Sequence, residues 1–372
     1  MINSILFNRL LLWLIFVLII FSCEKEEEDV NAGLTDNLQF TYLPTDLDAM
    51  WQFGPIGALQ GLPKAHGGFR LKAFRETADI PVYAMADGII YNIIKDQRTA
   101  ESGYAPAEYD GFTYDDHRLE IAVSRTSNIW YGHVTRLADD ILAAVPDLKA
   151  GRDVENRVRI EIAAGQVIGF LGPHQGFDIG MYDFKKENFF INPDRYSEFY
   201  RHTQPWTDYL TTSLKNQVWA INPRISEPRG GTIAYDVAGT IAGNWFLEGT
   251  TSILEWSKQL VIARHEIYAD RITILDGSPL LDGDGLSNAG RTANTWFVIG
   301  NAPLSEEVKI STGMVKYEVI TFWRLLDNPA ASPEGTVAIQ LIDDQTLYYQ
   351  WFEGKSADQV FDFTAAKKIY KR

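Results

Sequence analysis

The chain has 372 residues, a formal net charge of −15 and a single cysteine. That length suits two domains, and the acidic balance excludes a general nucleic-acid-binding role, which needs clustered Lys and Arg. Because only one cysteine is present, an internal disulfide is excluded as well.

Residues 1–22 have the pattern of an export signal. Arg9 is followed by twelve consecutive apolar residues, then by a serine and Cys23. A short positive region, an apolar core and a small residue before the processing point are typical of a signal peptide. The alternative, a transmembrane anchor, needs about 20 apolar residues. The four residues that end at Cys23 resemble the lipobox of bacterial lipoproteins, which implies that Cys23 is lipidated and becomes the first mature residue.

Residues 23–45 are predicted to be a lipidated acidic tether. The segment 24–29 contains five acidic residues and Lys25. A run of like charge repels itself and stays extended, so one interpretation is a plain spacer. The segment also resembles the surface-export signal of Bacteroidetes lipoproteins. That resemblance implies an outer-membrane protein, bound to the membrane through its lipid and exposed at the cell surface.

Residues 46–183 show the pattern of a β domain. Short apolar runs, several alternating with period two, are separated by Gly, Pro, Asp and Asn, as in antiparallel strands. Five runs have this pattern: 80–84, 88–91, 119–123, 158–162 and 167–171. Residues 138–145 are predicted to form one short helix.

Residues 184–228 lack the strand pattern and are predicted to form a helical connector that packs on both neighbouring domains. Aromatic residues at helical spacing in 193–200 and 208–219 are bounded by prolines.

Residues 229–372 return to a strand pattern and predict a second antiparallel domain, a barrel or a sandwich. The strand candidates are 232–235, 243–247, 296–299, 317–323, 337–341 and 347–351. The acidic segment 281–285 suggests a calcium loop, but Leu286 stands where such a loop needs an oxygen ligand, so we interpret it as a turn.

Four sequence blocks carry a family resemblance for the first β domain. They are 66–70 (HGGFR), 81–90 (PVYAMADGII), 130–137 (WYGHVTRL) and 164–172 (AGQVIGFLG). In this order they resemble the M23 zinc endopeptidases, the lysostaphin- or LytM-like enzymes that cut peptidoglycan cross-bridges. The resemblance spans about residues 50–183 and implies a small antiparallel β-sandwich.

The expected zinc ligands of that family are mostly absent from this chain. His66 matches the first ligand, whereas Arg70 stands at the aspartate position and Gly180 at the last histidine position. A guanidinium has no lone pair to donate and repels a cation, and a catalytic zinc needs about three protein ligands. His133 and Asp178 stand at former catalytic positions, and we predict an ion pair between Arg70 and Asp178.

These departures predict a catalytically inactive domain with no cofactor, which serves as a binding or scaffolding module of the cell envelope. A glycan or a peptide is the expected partner, by family analogy. The alternative is a divergent zinc metallopeptidase in which His66, His133 and Asp178 hold the metal with His174 as a candidate substitute ligand. The other three histidines are interpreted as ordinary surface or core residues.

The second β domain gives a weaker signal. Gly243–Trp245 near its start and Tyr370–Arg372 at its end resemble the lipocalins, in which a G-x-W opens the first strand. A barrel of about eight strands could hold a small ligand or be filled by side chains. The aromatic content favours filling, and the sequence predicts no oligomeric state.

Overall fold

The structure is a computed structural model that describes residues 29–59, 61–100, 106–277, 294–300, 302–321, 324, 328 and 331–372. The predicted signal peptide with Cys23, the first acidic residues and the predicted turn at 281–285 lie outside this part of the chain. Across the described residues, no helix combines the length and the apolar character needed to cross a membrane.

The first half of the chain forms a sandwich of two antiparallel sheets. The large sheet has seven strands in the order β1-β2-β10-β6-β5-β4-β8, and the small one has three in the order β3-β9-β7. The strands are β1 Met50–Gly54, β2 His66–Leu71, β3 Ile80–Tyr83, β4 Gly88–Thr99, β5 Thr113–Ser124, β6 Ser127–Val134, β7 Arg136–Leu137, β8 Asn156–Ile162, β9 Val167–Leu171 and β10 Gly176–Asp183.

The core of the sandwich lies between the two sheets. Phe69, Tyr131 and Ile179 of the large sheet are buried with Val82 and Ile168 of the small one. Because successive residues of a strand face opposite sides, the alternate positions on these large-sheet strands point away from the core. The residues of interest for function occupy this outer face.

The connector is helical, but in shorter pieces than predicted. It contains 3-10 turns at Pro193–Arg195 and Trp206–Tyr209, and helices α2 Glu198–Arg201 and α3 Thr212–Ala220; the earlier helix α1, Asp139–Ala143, lies within the predicted 138–145. The predicted helix 193–200 is interrupted because Ser197 is extended and its hydroxyl accepts the Tyr200 N–H, as N-cap residues do. The connector packs on both neighbours, since Trp206 joins the sandwich core while Tyr196 contacts Phe246 of the second half.

The second half of the chain is a closed eight-stranded barrel, β11 to β18 in sequence order. Its strands are β11 Gly243–Leu247, β12 Gln259–Arg264, β13 Ile272–Asp276, β14 Asn294–Val298, β15 Val315–Thr321, β16 Gly335–Asp343, β17 Thr346–Glu353 and β18 Lys368–Lys371. The prediction of a mainly β chain with antiparallel sheets and a second barrel or sandwich is confirmed.

Large side chains fill the barrel interior. Trp245, Tyr317, Tyr349 and Tyr370 are at most 1 % exposed and belong to one apolar cluster. The guanidinium of Arg372 stacks 4.1 Å from the Trp245 ring centroid and donates to the backbone carbonyls of Thr240 and Ala242, just before β11. These contacts tie Arg372 to the segment that leads into the first strand of the barrel.

One predicted strand, 232–235, is wrong. Ile233 is buried in a cluster with Ile56, and the backbone at Thr232 lies so close to Gly57 that a Cβ there would stand 2.0 Å from the Thr232 oxygen. This segment packs against the loop that leads into β2, and it pairs with none of the barrel strands in the described part of the chain. The contact places the loop before His66 against the C-terminal half.

Candidate functional site

His66, Asp178 and Gly180 come together on the outer face of the large sheet. Antiparallel pairing sets Gly180 opposite His66 on one side and opposite Trp130 on the other, while Asp178 pairs with Gly68 and Gly132. Directly paired residues share a face, so these side chains form neighbouring rows across β2, β10 and β6.

The carboxylate of Asp178 is held between two imidazoles. Its Oδ2 lies 3.3 Å from His66 Nε2 and 3.2 Å from His133 Nε2. The other ring nitrogen of His133, Nδ1, lies 3.0 Å from Asp116 Oδ2, and Arg98 in turn forms an ion pair with Asp116. The five side chains form a chain of alternating acidic and basic groups along the outer face of the large sheet. We call the surface around His66, His133, His174 and Asp178 the cleft.

The protonation states of this cluster follow from those contacts. Burial opposes charge on His133, but its hydrogen bonds to Asp116 and Asp178 outweigh burial and raise its pKa to about 9. Burial likewise opposes charge on Asp178, yet the bonds from His133 and His66 hold its pKa well below the usual range. His133 is therefore an imidazolium at neutral pH, flanked by two carboxylates.

His133 adopts a strained backbone. With φ at 64°, it is the one non-glycine residue with positive φ among the described parts of the chain. Such a conformation costs about 1–3 kcal/mol and persists where surrounding contacts fix it. Here the two carboxylates supply those contacts, one on each ring nitrogen.

His174 stacks on His133 with ring centroids 3.7 Å apart. Its Nδ1 accepts the backbone N–H of Gly176 at 2.9 Å. Burial and the neighbouring His133 cation lower the pKa of His174 to about 4, so its ring is neutral. With Nδ1 committed to the backbone, this residue serves as a wall of the cleft.

Trp130 occupies the space beside Gly180. A Cβ placed on Gly180 would stand 2.1 Å from the indole Nε1, and that Nε1–H donates to the Tyr182 hydroxyl at 3.1 Å. The Arg118 guanidinium covers the ring 4.3 Å from its centroid, and the indole is only 8 % exposed. The volume into which a side chain at position 180 would project is therefore filled.

The predicted ion pair between Arg70 and Asp178 is wrong. Arg70 is exposed, two residues beyond the row that contains Asp178, and Asp178 is already engaged by both imidazoles. Sequence reasoning gave no role in the site to Trp130, Asp116 or Arg98. Trp130 meets Gly180 through pairing of β6 with β10, and Asp116 and Arg98 reach His133 through the neighbouring strands β5 and β4. The sequence contains no local signal for such pairing.

The side chains present do not fit the zinc site that the family resemblance implies. Among the residues that the structure describes, no group of three or more His, Cys, Asp or Glu is arranged to hold a metal ion. The Nε2 atoms of His66 and His133 both face one carboxylate oxygen and would have to give up those hydrogen bonds to bind a cation. The remaining histidines are bound locally: His117 and His202 contact backbone carbonyls, and His265 Nδ1 accepts two backbone N–H groups.

We expect the cluster to make stability fall in mild alkali. The pKa of His133 is raised from 6.5 to about 9 in the folded chain, so its contribution is complete below pH 6.5 and is lost as the pH rises to 9. His133→Asn removes this titration while keeping a residue type that tolerates positive φ. Urea unfolding at pH 6, 7.5 and 9 should show a steeper loss for the wild type than for His133→Asn. Parallel pH profiles would contradict the assignment of the imidazolium.

A scan against family models and a search of curated proteins each found no match. A search of solved structures found a crystal structure of a mutant catalytic domain of the prophage-encoded M23 protein EnpA from Enterococcus faecalis. The match has 14 % identity and a TM-score of 0.21, and it covers 40 % of this chain and 87 % of that chain. A likeness at this score says nothing of what the present chain does.

Proposed function

We propose that the β-sandwich is a non-catalytic, M23-like binding module of a lipid-anchored envelope protein. The observation that carries the proposal is the state of the cleft. The Asp178 carboxylate lies between His66 and His133, where it accepts hydrogen bonds from both. The polar side chains of the cleft are thereby joined to one another by hydrogen bonds and not arranged around a metal ion.

Metal-assisted hydrolysis needs metal-binding atoms that these side chains do not provide. A catalytic zinc takes about three protein ligands and activates a bound water. At Gly180 there is no donor atom and no room for one, because Trp130 fills the adjacent volume. At position 70 a permanent cation, Arg70, stands where the resemblance calls for a carboxylate.

The second candidate function is a divergent zinc metallopeptidase. It is favoured by one observation, the short distances that link His66, Asp178 and His133 in the cleft. Zinc accepts both imidazole nitrogen and carboxylate oxygen, so a rearranged cluster could in principle serve as a site. His174 would have to release the Gly176 N–H to join it.

Zinc content separates the two functions. We expect the purified chain to contain far less than one zinc per molecule and to leave peptidoglycan peptides uncut. A chelator should not change its unfolding midpoint, because only a ligand that binds the folded state adds stability. Elemental analysis of the wild type and of His66→Ala provides the measurement. One tightly held zinc that is lost in His66→Ala, together with cleavage, would establish the metallopeptidase.

The membrane anchor is a separate part of the proposal. It is supported by the apolar segment 10–21 followed by Cys23, the one cysteine of the chain. Lipid chains supply the membrane affinity of such proteins. We expect Cys23→Ala to move the protein from the membrane pellet to the soluble fraction of the cells that produce it. Retention of the variant in the pellet would refute lipid anchoring.

We propose that the lipocalin-like barrel supports the sandwich and does not bind a small ligand. Its interior is occupied by buried aromatic side chains. On its outer wall, Leu59 and Leu62 of the loop before β2 pack against Val261 and Leu275. The barrel thereby holds the segment that delivers His66 to the cleft. The partners of the sandwich are proposed to be envelope glycans or peptides.

A further inference from the structure

Two planar polar side chains stand side by side at one end of the cleft. Gln52 on β1 is directly paired with Arg70 on β2, and Arg70 is paired with Gly176 on β10. Paired residues of antiparallel strands project to the same face with Cβ atoms about 5 Å apart. The amide of Gln52 and the guanidinium of Arg70 therefore point outward from adjacent positions.

The space beside Gln52 is open at Gly54. The next row has Gly54 on β1 and Gly68 on β2, and a Cβ added at Gly54 would meet nothing closer than 3.9 Å, whereas one at Gly68 would stand 2.0 Å from the Phe177 carbonyl oxygen. On the far side, the His174 ring lies 3.1 Å from the place where a Cβ of Gly176 would stand and forms a wall. The three strands span about 10 Å, the length of about three extended residues.

The positive charge of Arg70 is not compensated by a neighbouring acidic side chain that the structure describes. Asp178 is engaged by His66 and His133, and Asp116 by His133 and Arg98, so the acidic groups of the cleft are all compensated. Within the described parts of the chain, Arg70 has no ion pair or side-chain hydrogen bond to another residue, although the whole chain has a net charge of −15. An exposed and uncompensated guanidinium in an acidic protein favours an anionic ligand.

We propose that Arg70 and Gln52 form a recognition site for the terminal carboxylate of a short peptide. This inference rests on the proposed binding role of the cleft and adds the chemical class of its ligand. A guanidinium offers a rigid fork of N–H donors that matches a carboxylate bidentately, and the Gln52 amide supplies a further donor beside it. The open surface over Gly54 accommodates the chain that precedes the carboxylate.

The test compares two dipeptides that differ only at the terminus, acetyl-Ala-Ala with a free carboxylate and acetyl-Ala-Ala amide. Isothermal titration calorimetry on the full chain at low ionic strength should show at least tenfold tighter binding of the acid. Arg70→Gln should abolish that difference, and Arg70→Lys should retain only part of it because the fork is lost. Gln52→Ala should weaken binding of the acid severalfold.

Arg152→Gln, at an exposed arginine in the turn before β8, makes the same charge change and should leave the preference intact. Equal binding of acid and amide to the wild type, or a preference that survives Arg70→Gln, would overturn the proposal, as would no binding of either dipeptide. Tighter Arg70-dependent binding of glucuronate than of the dipeptide acid would overturn the peptide as the occupant. If the proposed binding role itself is wrong, the result is a different one: the purified chain contains zinc and cleaves peptides.

Discussion

Replacing Asp178 with alanine should destabilise the sandwich by about 2–4 kcal/mol, since it leaves the His133 imidazolium with a buried ring nitrogen and no acceptor. The side chain of Asp178 is 30 % exposed, so we place the effect below that of a fully buried ion pair. Hydrogen exchange of amides in β6 and β10, followed by mass spectrometry, reports the sandwich separately from the barrel.

Asp139→Ala is the matched control for that substitution. Its carboxylate is 98 % exposed in its ion pair with Arg136, and exposed pairs contribute about 0–1 kcal/mol. We therefore expect little change in the same amides. Equal protection in Asp178→Ala and Asp139→Ala would mean that the cluster does not stabilise the sheet.

Adding one methyl group at Gly180 should also have a large effect. The new Cβ would stand 2.1 Å from Trp130 Nε1, so the indole would have to leave its place under Arg118. Overpacking of this kind costs about 1–3 kcal/mol. We expect Gly180→Ala to lower the free energy of unfolding by that amount, measured by urea denaturation and by exchange in β10.

A double-mutant cycle shows whether the indole is the cause. In a Trp130→Ala background the clash is absent, so Gly180→Ala should cost almost nothing, although Trp130→Ala is itself destabilising. Gly54→Ala lies on the same face of the sheet with open space around its Cβ and should be close to neutral. A neutral Gly180→Ala in the wild-type background would show that Trp130 moves aside at no cost.

The same geometry bears on any attempt to engineer a zinc site at these positions. A histidine at position 180 could project toward His66 only after Trp130 has been reduced to a small residue. Substitutions at Arg70 and Gly180 alone are therefore expected to gain no zinc, since the place of the third ligand stays filled.

The amino-acid sequence by itself determined the fold class and most of the strands. Alternation such as that in 119–123 reports which residues face a core, because a strand has a period of two. The single cysteine, the apolar segment before it and the acidic balance led to predictions of the compartment and the partners without any coordinates, and these stay predictions. The absence of a lone pair for a metal at Arg70 and Gly180 is a property of the side chains, so it too could be derived from the sequence.

Only the tertiary structure decided which side chains surround positions 70, 178 and 180. Asp178 meets His66 and His133 instead of Arg70 because strand register sets which side chains share a row, and register depends on pairing between distant segments. The same pairing lays Trp130 across Gly180 and joins Asp116 on β5 to His133 on β6. Contacts between distant segments produce no periodic pattern in the sequence. The strands that bring those segments together do produce one.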